Sequence, residues 1–552
     1  MAENFNEVVL RVSGLSIEIS GHRIVEEVGF EVYKAKTTAI VGESGSGKTL
    51  SALSLLGLLP NGGKRVAGKA AIFEAGTETE LFLLKSKEWR AVRGKKISMI
   101  FQEPASALNP VFTVGRQTME IIAAHEKLSG SEAHGRIIGL YAEMGLENPE
   151  KIFDSYPHQL SGGQMQRAMI AMAVACRPSV LLADEPTTAL DATVQQKVLH
   201  LLKELQLTRG LSIVFISHDL ALVKQIAHRV VVLDRGRVVE SGLSEEVLAC
   251  PRHPYTRALL ACRPRLGFYP KRLPTVGESP HAYDSNITVS TVSSIPLISV
   301  NDLKVEYKTN SGQTFTAVNN VSFEIFKGET LGLAGESGSG KSTIGKALLK
   351  LVAAVGSVRF HNADASTELL SLNEGAFRPY RRSLQIIFQD PYGSLNPKMT
   401  VGQTLVEPMK IHGLYDNDKA RLQKAAELLE KVGMTGDFLR RLPNALSGGQ
   451  RQRVAIARAL TLMPKFVVCD ECVSALDVSV QAAVLNLLND LKDEFGLSYL
   501  FISHDIAVLR YMCDRIMVMK SGEIVERDAS DVIVSRPRHP YTQTLVAAAP
   551  KD

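Results

Sequence analysis

Long apolar runs are what this 552-residue sequence most plainly lacks. No stretch reaches the roughly 18 uninterrupted apolar residues that a membrane-spanning helix needs. The densest segment, Ala168 to Cys176, reads as a buried helix instead. The opening residues, Met1 to Asn4, have neither the basic start nor the apolar core of a secretory signal, so none is expected. Cysteine is scarce too: six in the whole chain point to a reducing compartment rather than a disulfide scaffold. Charge of one sign is not in large excess, since a net +5 is far short of a nucleic-acid-binding footprint. A cytoplasmic protein is expected. What is present, 45% hydrophobic and 22% charged residues, is ordinary globular composition on enough chain for two large cores.

A repeat decides the organisation. GESGSGK occurs at Gly42–Lys48 and Gly335–Lys341, FQ(E/D)P at Phe101 and Phe388, LSGGQ at Leu160 and Leu446, ISHD at Ile216 and Ile502, and HPYT at His253 and His539. Copies lie 293 residues apart at Lys48 and Lys341, 287 apart at Gln102 and Gln389, and 286 apart from Ser161 and Ser447 onward. One large domain is therefore duplicated in tandem, with six residues fewer between the first two motifs of the second copy. The segment from Pro264 to Pro296, rich in Pro, Ser and Thr, reads as an extended linker or surface crossover. The expected boundaries are 1–265 for the first domain, 266–296 for the linker and 297–552 for the second domain. Apolar runs such as Thr38–Val41, Val180–Ala183 and Ser212–Ile216 alternate with amphipathic stretches, which predicts an α/β core with a largely parallel sheet. Between the FQ and LSGGQ segments such runs are absent, which predicts an inserted helical subdomain.

The glycine loops carry the first chemistry. Gly42-Glu43-Ser44-Gly45-Ser46-Gly47-Lys48-Thr49 and Gly335-Glu336-Ser337-Gly338-Ser339-Gly340-Lys341-Ser342 both satisfy G-x-x-x-x-G-K-[ST] between an apolar strand and a helical pattern. Glycines let successive backbone N–H groups face an anion, and the helix N-terminus adds its dipole. Lys48 and Lys341 supply a cation for the β- and γ-phosphates, and Thr49 and Ser342 a hydroxyl for Mg²⁺. A chance Gly/Ser-rich turn explains one such match but not two at equivalent places. Two apolar strands end in paired carboxylates, Asp184-Glu185 and Asp470-Glu471. In a doubly wound sheet, ligands lie beyond the carboxyl ends of strands. The Asp of each pair is then a candidate for the Mg²⁺ shell, and the Glu for polarising the attacking water; alone, the pair would read equally well as a cap and a solvated acid. Gln102 and Gln389 could reach metal or water with a neutral amide. His218 and His504 read either as satisfied histidines at strand ends or as donors to the γ-phosphate. Cys469 and Cys472 form a C-x-x-C around the second acidic pair, where packing is the better reading than redox or metal chemistry.

With these residues in hand, both halves resemble nucleotide-binding domains of the ABC superfamily over essentially the whole chain. The distinguishing element is LSGGQ, Leu160–Gln164 and Leu446–Gln450, whose serine and glycines at a helix start would form a second anion site. The resemblance implies ATP and Mg²⁺ as ligands and a head-to-tail pairing. Lys48 and Glu185 would act against Ser447 and Gly449, and Lys341 and Glu471 against Ser161 and Gly163. It makes Gln102 and Gln389 Q-loops, His218 and His504 switch histidines, and Asp191 and Asp477 D-loop residues. Both motif sets are intact, so two hydrolysing sites are expected. The position of the adenine-stacking aromatic is Tyr307 in the second half but Ile19 in the first. Cys472 stands where the first half has Pro186, and Met165 where the second has Arg451.

The segments Arg252–Thr256 and Arg538–Thr542, with FQEPASALNP and FQDPYGSLNP, resemble the ATPases of oligopeptide, dipeptide and nickel importers, here fused as in glutathione and microcin-uptake systems. The resemblance implies two transmembrane permease subunits, an indirect extracytoplasmic binding protein, and a place at the inner face of the plasma membrane. A ribosome-acting tandem ABC ATPase is the rival. It would join its halves with a long charged helix, unlike Pro264–Pro296, and would lack the HPYT segments.

Overall fold

The computed structural model describes residues 7–74, 76–188, 190–267, 270–276, 295–308, 312, 314–362 and 365–549. These residues form two compact units, one from 7–190 and 194–261, the other from 262–549 with 191–193.

In the first unit the strands are β1 Val8–Ile19, β2 His22–Tyr33, β3 Thr37–Val41, β4 Gly63–Glu74 and β5 Thr77–Glu80. They continue with β6 Ile97–Ile100, β7 Val180–Asp184, β8 Ser212–Ser217, β9 Arg229–Asp234 and β10 Arg237–Leu243. Six of them make a sheet in the order β10-β9-β3-β8-β7-β6, parallel except at the β10 edge. Every residue of β3, β7 and β8 is buried, as expected of parallel strands covered on both faces. The expected runs thus become strands, each within a residue or two of its predicted ends. The other four strands form a separate antiparallel sheet, β2-β1-β4-β5. One core joins the two sheets, in which Leu10, Ile17 and Ile72 meet Ile40, Leu182 and Val214 around Ala52 and Leu55 of the helix Lys48–Leu55.

The segment between β6 and β7 is helical, as predicted: Val114–His125, Gly130–Glu143, Pro149–Asp154 and Gly162–Val174. Its helices start where the sequence offers caps. The Thr113 hydroxyl accepts from the Arg116 amide, and Ser129 with Glu132 and Ser161 with Gln164 form reciprocal capping boxes.

The second unit repeats this plan. Its six-stranded sheet runs Leu384–Ile387, Phe466–Asp470, Ser498–Ile502, Thr330–Ala334, Arg515–Lys520, Glu523–Ala529, and its helical insert holds Val401–Ile411, Asp418–Lys431 and Gly448–Leu460. Most of the shortening falls where the 12-residue β4 is matched by the 8-residue strand Val355–Asn362. Residues 262–267 and 270–276 group with this unit. Leu273 is buried in its core, and the side-chain amide of Asn486 bonds both the N–H and the C=O of Leu273, at 2.9 and 2.8 Å. Of the expected linker, residues 268–269 and 277–294 lie outside the described residues.

Candidate active site

Four parallel strands, β3, β8, β7 and β6, end side by side. From their carboxyl ends emerge the glycine loop, His218, the Asp184–Glu185 pair and Gln102, so groups far apart in sequence become neighbours. The second unit brings its loop, His504, Asp470–Glu471 and Gln389 together in the same way.

Glycine shapes the loop. Gly42 has φ +154°, and a Cβ there would lie 2.2 Å from the Leu233 carbonyl oxygen; at Gly335 the distance is 2.3 Å, to Met519. The backbone therefore leaves the strand along a path closed to any side chain. Lys48 follows, buried, its Nζ donating to the carbonyls of Gly42 at 2.7 Å and Glu43 at 2.8 Å. Lys341 does the same with Gly335 at 2.8 Å and Glu336 at 2.7 Å. Burial pushes the Lys341 pKa below its ordinary value, against the pull of Glu471. The hydroxyls of Ser46 and Ser339, 4% and 5% exposed, have no hydrogen-bond partner among the described residues. Buried polar atoms left without partners are rare. Beside a buried ammonium and a run of backbone amides, these hydroxyls fit a polyphosphate.

The hydroxyls that open the two helices meet the first carboxylates. Thr49 Oγ1 donates to Asp184 Oδ1 at 3.1 Å, and Ser342 Oγ to Asp470 Oδ1 at 2.6 Å. This all-oxygen set suits Mg²⁺. Burial pushes Asp184 up to about 6, although the Thr49 bond opposes it, and burial raises Asp470 as well. A carboxyl raised in the fold contributes stability below its unfolded value near 3.8 and loses it as pH rises through about 6. Asp184→Asn, whose Oδ1 still accepts from Thr49, is therefore expected to stabilise the nucleotide-free protein at pH 8 by on the order of 2–3 kcal/mol. The difference should vanish below about pH 4. Chemical denaturation at the two pH values checks this.

Glu185 and Glu471 follow with φ of +46° and +45°, left-handed conformations that cost about 1–3 kcal/mol each for residues with a Cβ. Around Glu185 three groups converge. His218 Nδ1 is 3.0 Å from Oε1, while Gln102 Nε2 and Thr188 Oγ1 each donate to Oε2 at 2.9 Å. Burial would raise this carboxyl, but the histidine's hydrogen bond and charge, with Lys48 and Thr188, bring it down to about 2. Around Glu471, Gln389 Nε2 donates at 2.9 Å and His504 Nδ1 stands 3.5 Å from the same Oε2. Burial opposes the charge on Glu471 too, yet His504 and Lys341 lower it; burial opposes the charge on His504, yet Glu471 raises it. The glutamines, expected at metal or water, thus bond the second carboxylate of each pair.

Two contacts were not foreseen from sequence. Thr188 reaches the Glu185 carboxylate, whereas its counterpart Ser474 donates to the Glu471 backbone carbonyl at 2.9 Å. The halves therefore differ at the carboxylate itself. Only a hydroxyl residue three positions beyond each glutamate hinted at this. The other contact joins the HPYT tyrosines to the glycine loops.

Ser161, Gly163, Ser447 and Gly449 start helices of the inserts rather than standing in the row of strand ends. The Ser161 and Ser447 hydroxyls accept the amides of Gln164 and Gln450, each at 3.3 Å. A Cβ on Gly163 would lie 2.9 Å from Val194, and one on Gly449 2.5 Å from Val480. Tyr307 lies opposite Phe315, both exposed, and Ile19 holds the matching register opposite His22. Cys469 and Cys472 are buried, and their mutual hydrogen bond, with burial, keeps the Cys469 thiol far above its ordinary range.

Comparison with known proteins places the chain in a family. A family model for the ABC transporter matches residues 25–188 and 318–474, and one for the oligopeptide/dipeptide transporter C-terminal region matches 239–287 and 525–551. The glutathione import ATP-binding protein of Salmonella choleraesuis (strain SC-B67) is 45% identical over 98% of this chain and 89% of its own. That of Escherichia coli (strain K12) is 44% identical over 95% and 86%. A solved dimer of the cassette MJ0796 bound to ADP and Pi is 30% identical, covering 42% of this chain and 98% of its own, with a TM-score of 0.38.

Proposed function

Since this chain belongs to the ABC transporter family, as an ATPase with two such domains, we propose that it drives import of glutathione or a similar small peptide. The observation that carries the reading is the row of strand ends, complete in both halves, together with a C-terminal extension of the peptide-transporter type after each.

ATP is the substrate. The loop amides, Lys48 and Ser46 in one half, and Lys341 and Ser339 in the other, bind its phosphates. Thr49 with Asp184, and Ser342 with Asp470, are the residues that would hold Mg²⁺, which when bound neutralises charge on the phosphate oxygens. Glu185 and Glu471 orient the attacking water. A carboxylate held near 2 is a weak base. When His218 turns from Glu185 toward a γ-phosphate, it gives up the contact that most depresses that carboxyl, and the basicity of Glu185 rises. The same exchange is open to His504. Following the family's motifs, the helix starts at Ser161 and Gly163, and at Ser447 and Gly449, offer further hydroxyl and amide contacts for a phosphate. Tyr307 stacks on adenine, and Ile19 gives a weaker platform.

No helix among the described residues is long and apolar enough to cross a membrane. The reading therefore assigns the pore to two permease subunits, which hold this chain at the cytoplasmic face, and substrate delivery to an extracytoplasmic binding protein. The test is co-reconstitution of the chain with its permeases in vesicles containing labelled glutathione. ATP-dependent accumulation that needs the binding protein supports the reading. Sedimentation of the chain with ribosomes and indifference to permease-containing membranes contradicts it.

A further inference from the structure

The HPYT segments do a structural job that each of their residues makes legible. In the first half the consecutive amides of Arg252 and His253 donate to the two oxygens of Glu240, at 2.7 and 3.1 Å, which ties the segment to β10. The His253 ring nitrogen Nδ1 then accepts the Tyr255 amide at 3.2 Å and caps the start of the helix Pro254–Ala261. Proline fits the first turn because its missing N–H would have no helical partner there. The helix so fixed delivers the Tyr255 hydroxyl, on a side chain only 7% exposed, to the amide of Glu43, which donates to it at 3.0 Å. Glu43 is the second residue of the glycine loop.

The second half repeats every contact. Arg538 and His539 amides meet Glu526 at 2.9 and 3.0 Å, and His539 Nδ1 accepts the Tyr541 amide at 3.1 Å. Tyr541, also 7% exposed, accepts the Glu336 amide at 2.9 Å. One contact of this kind could be incidental packing. Two, each spanning more than 200 residues of chain, mark a built device.

What it holds is the residue where the loop leaves its strand. The Glu43 carbonyl is bonded by Lys48 and its N–H by Tyr255, so Glu43 is gripped from both sides. The lysine grip is temporary, because the ammonium must turn to the phosphates when they arrive. The tyrosine grip need not change. We propose that Tyr255 and Tyr541 are positioning residues for ATP binding: each hydroxyl keeps its phosphate loop in the binding shape and ties it to the C-terminal extension. The proposal rests on the ATPase reading above. Pre-ordering a loop raises affinity by removing an entropic cost from binding, while the chemical step is untouched.

Tyr255→Phe and Tyr541→Phe keep the buried ring and remove the hydroxyl that accepts the loop amide. A neutral hydrogen bond is worth a factor of about 3–10 in an equilibrium constant. Each variant of the full chain is therefore expected to bind MgATP about 3–10-fold more weakly at its own site. KM should rise by a similar factor, with kcat unchanged at saturating ATP and the melting temperature without nucleotide near wild type. Glu240→Gln and Glu526→Gln, which loosen the helix without touching the loop, should move affinity in the same direction. Unchanged affinity in both phenylalanine variants overturns the proposal, as does a lower melting temperature with affinity preserved, which would make the tyrosine a packing residue only. If the wild-type chain itself binds no MgATP, it is the ATPase reading that fails.

Discussion

Replacing Glu185 and Glu471 together by glutamine is expected to cut ATP turnover by a factor of about 10²–10⁴, the usual contribution of a positioned acid–base group. Affinity for MgATP should hold or improve, because two carboxylates that repel the incoming anion are removed. The substitution is close to isosteric, and Gln102, Gln389 and Thr188 can still donate to the remaining side-chain oxygen. Loss of folding is therefore not the expected cause of inactivity. The single variants are informative in a different way, because Glu185 carries the Thr188 bond and Glu471 has no counterpart to it. Phosphate release by the full chain in its permease complex checks the set. Wild-type turnover in both single variants would remove the two glutamates from the mechanism.

Lys48→Met and Lys341→Met should separate binding from stability. Each ammonium is buried and lies on two loop carbonyls, an arrangement that favours a phosphate ligand more than it favours the empty fold. Removing a charged contact to an anion is expected to weaken MgATP at that site by about 10–100-fold. Without nucleotide, a methionine of similar length relieves the desolvation of a buried charge but leaves two carbonyls without their donor, so the melting temperature should change little. The readout is the ATP-induced rise in melting temperature at one fixed ATP concentration, smaller in each single variant than in the wild type and smallest in the double. A variant that unfolds without nucleotide would show that the lysine serves the fold first.

Much of this was legible in the sequence, for identifiable reasons. The duplication, the glycine loops and the acidic pairs depend on local order, and so do the strands that carry them: all-apolar runs such as Val180–Ala183 suit a strand buried on both faces. The helix starts at Ser161 and Ser447 were legible in the LSGGQ segments. Convergence was not. That Gln102, His218 and Thr188 all meet the Glu185 carboxylate depends on β6, β7 and β8 lying side by side, which spacing along the chain does not encode. The left-handed turn at Glu185 was hidden as well, because glutamate carries no signal for positive φ. The Tyr255 contact crosses 212 residues, and the sequence flagged HPYT only as a family mark. Leu273 is a similar case: in a proline-broken stretch its side chain gave no periodicity, yet Asn486 holds it in the second unit's core.

The central claim is that one chain carries two complete ATP sites. The most direct test is the number of MgATP molecules retained by the Glu185→Gln, Glu471→Gln double variant, counted by native mass spectrometry of the full chain. Two per chain is the predicted result. A plateau at one would mean that one half has lost its site despite intact motifs, and none would contradict the account of both loops.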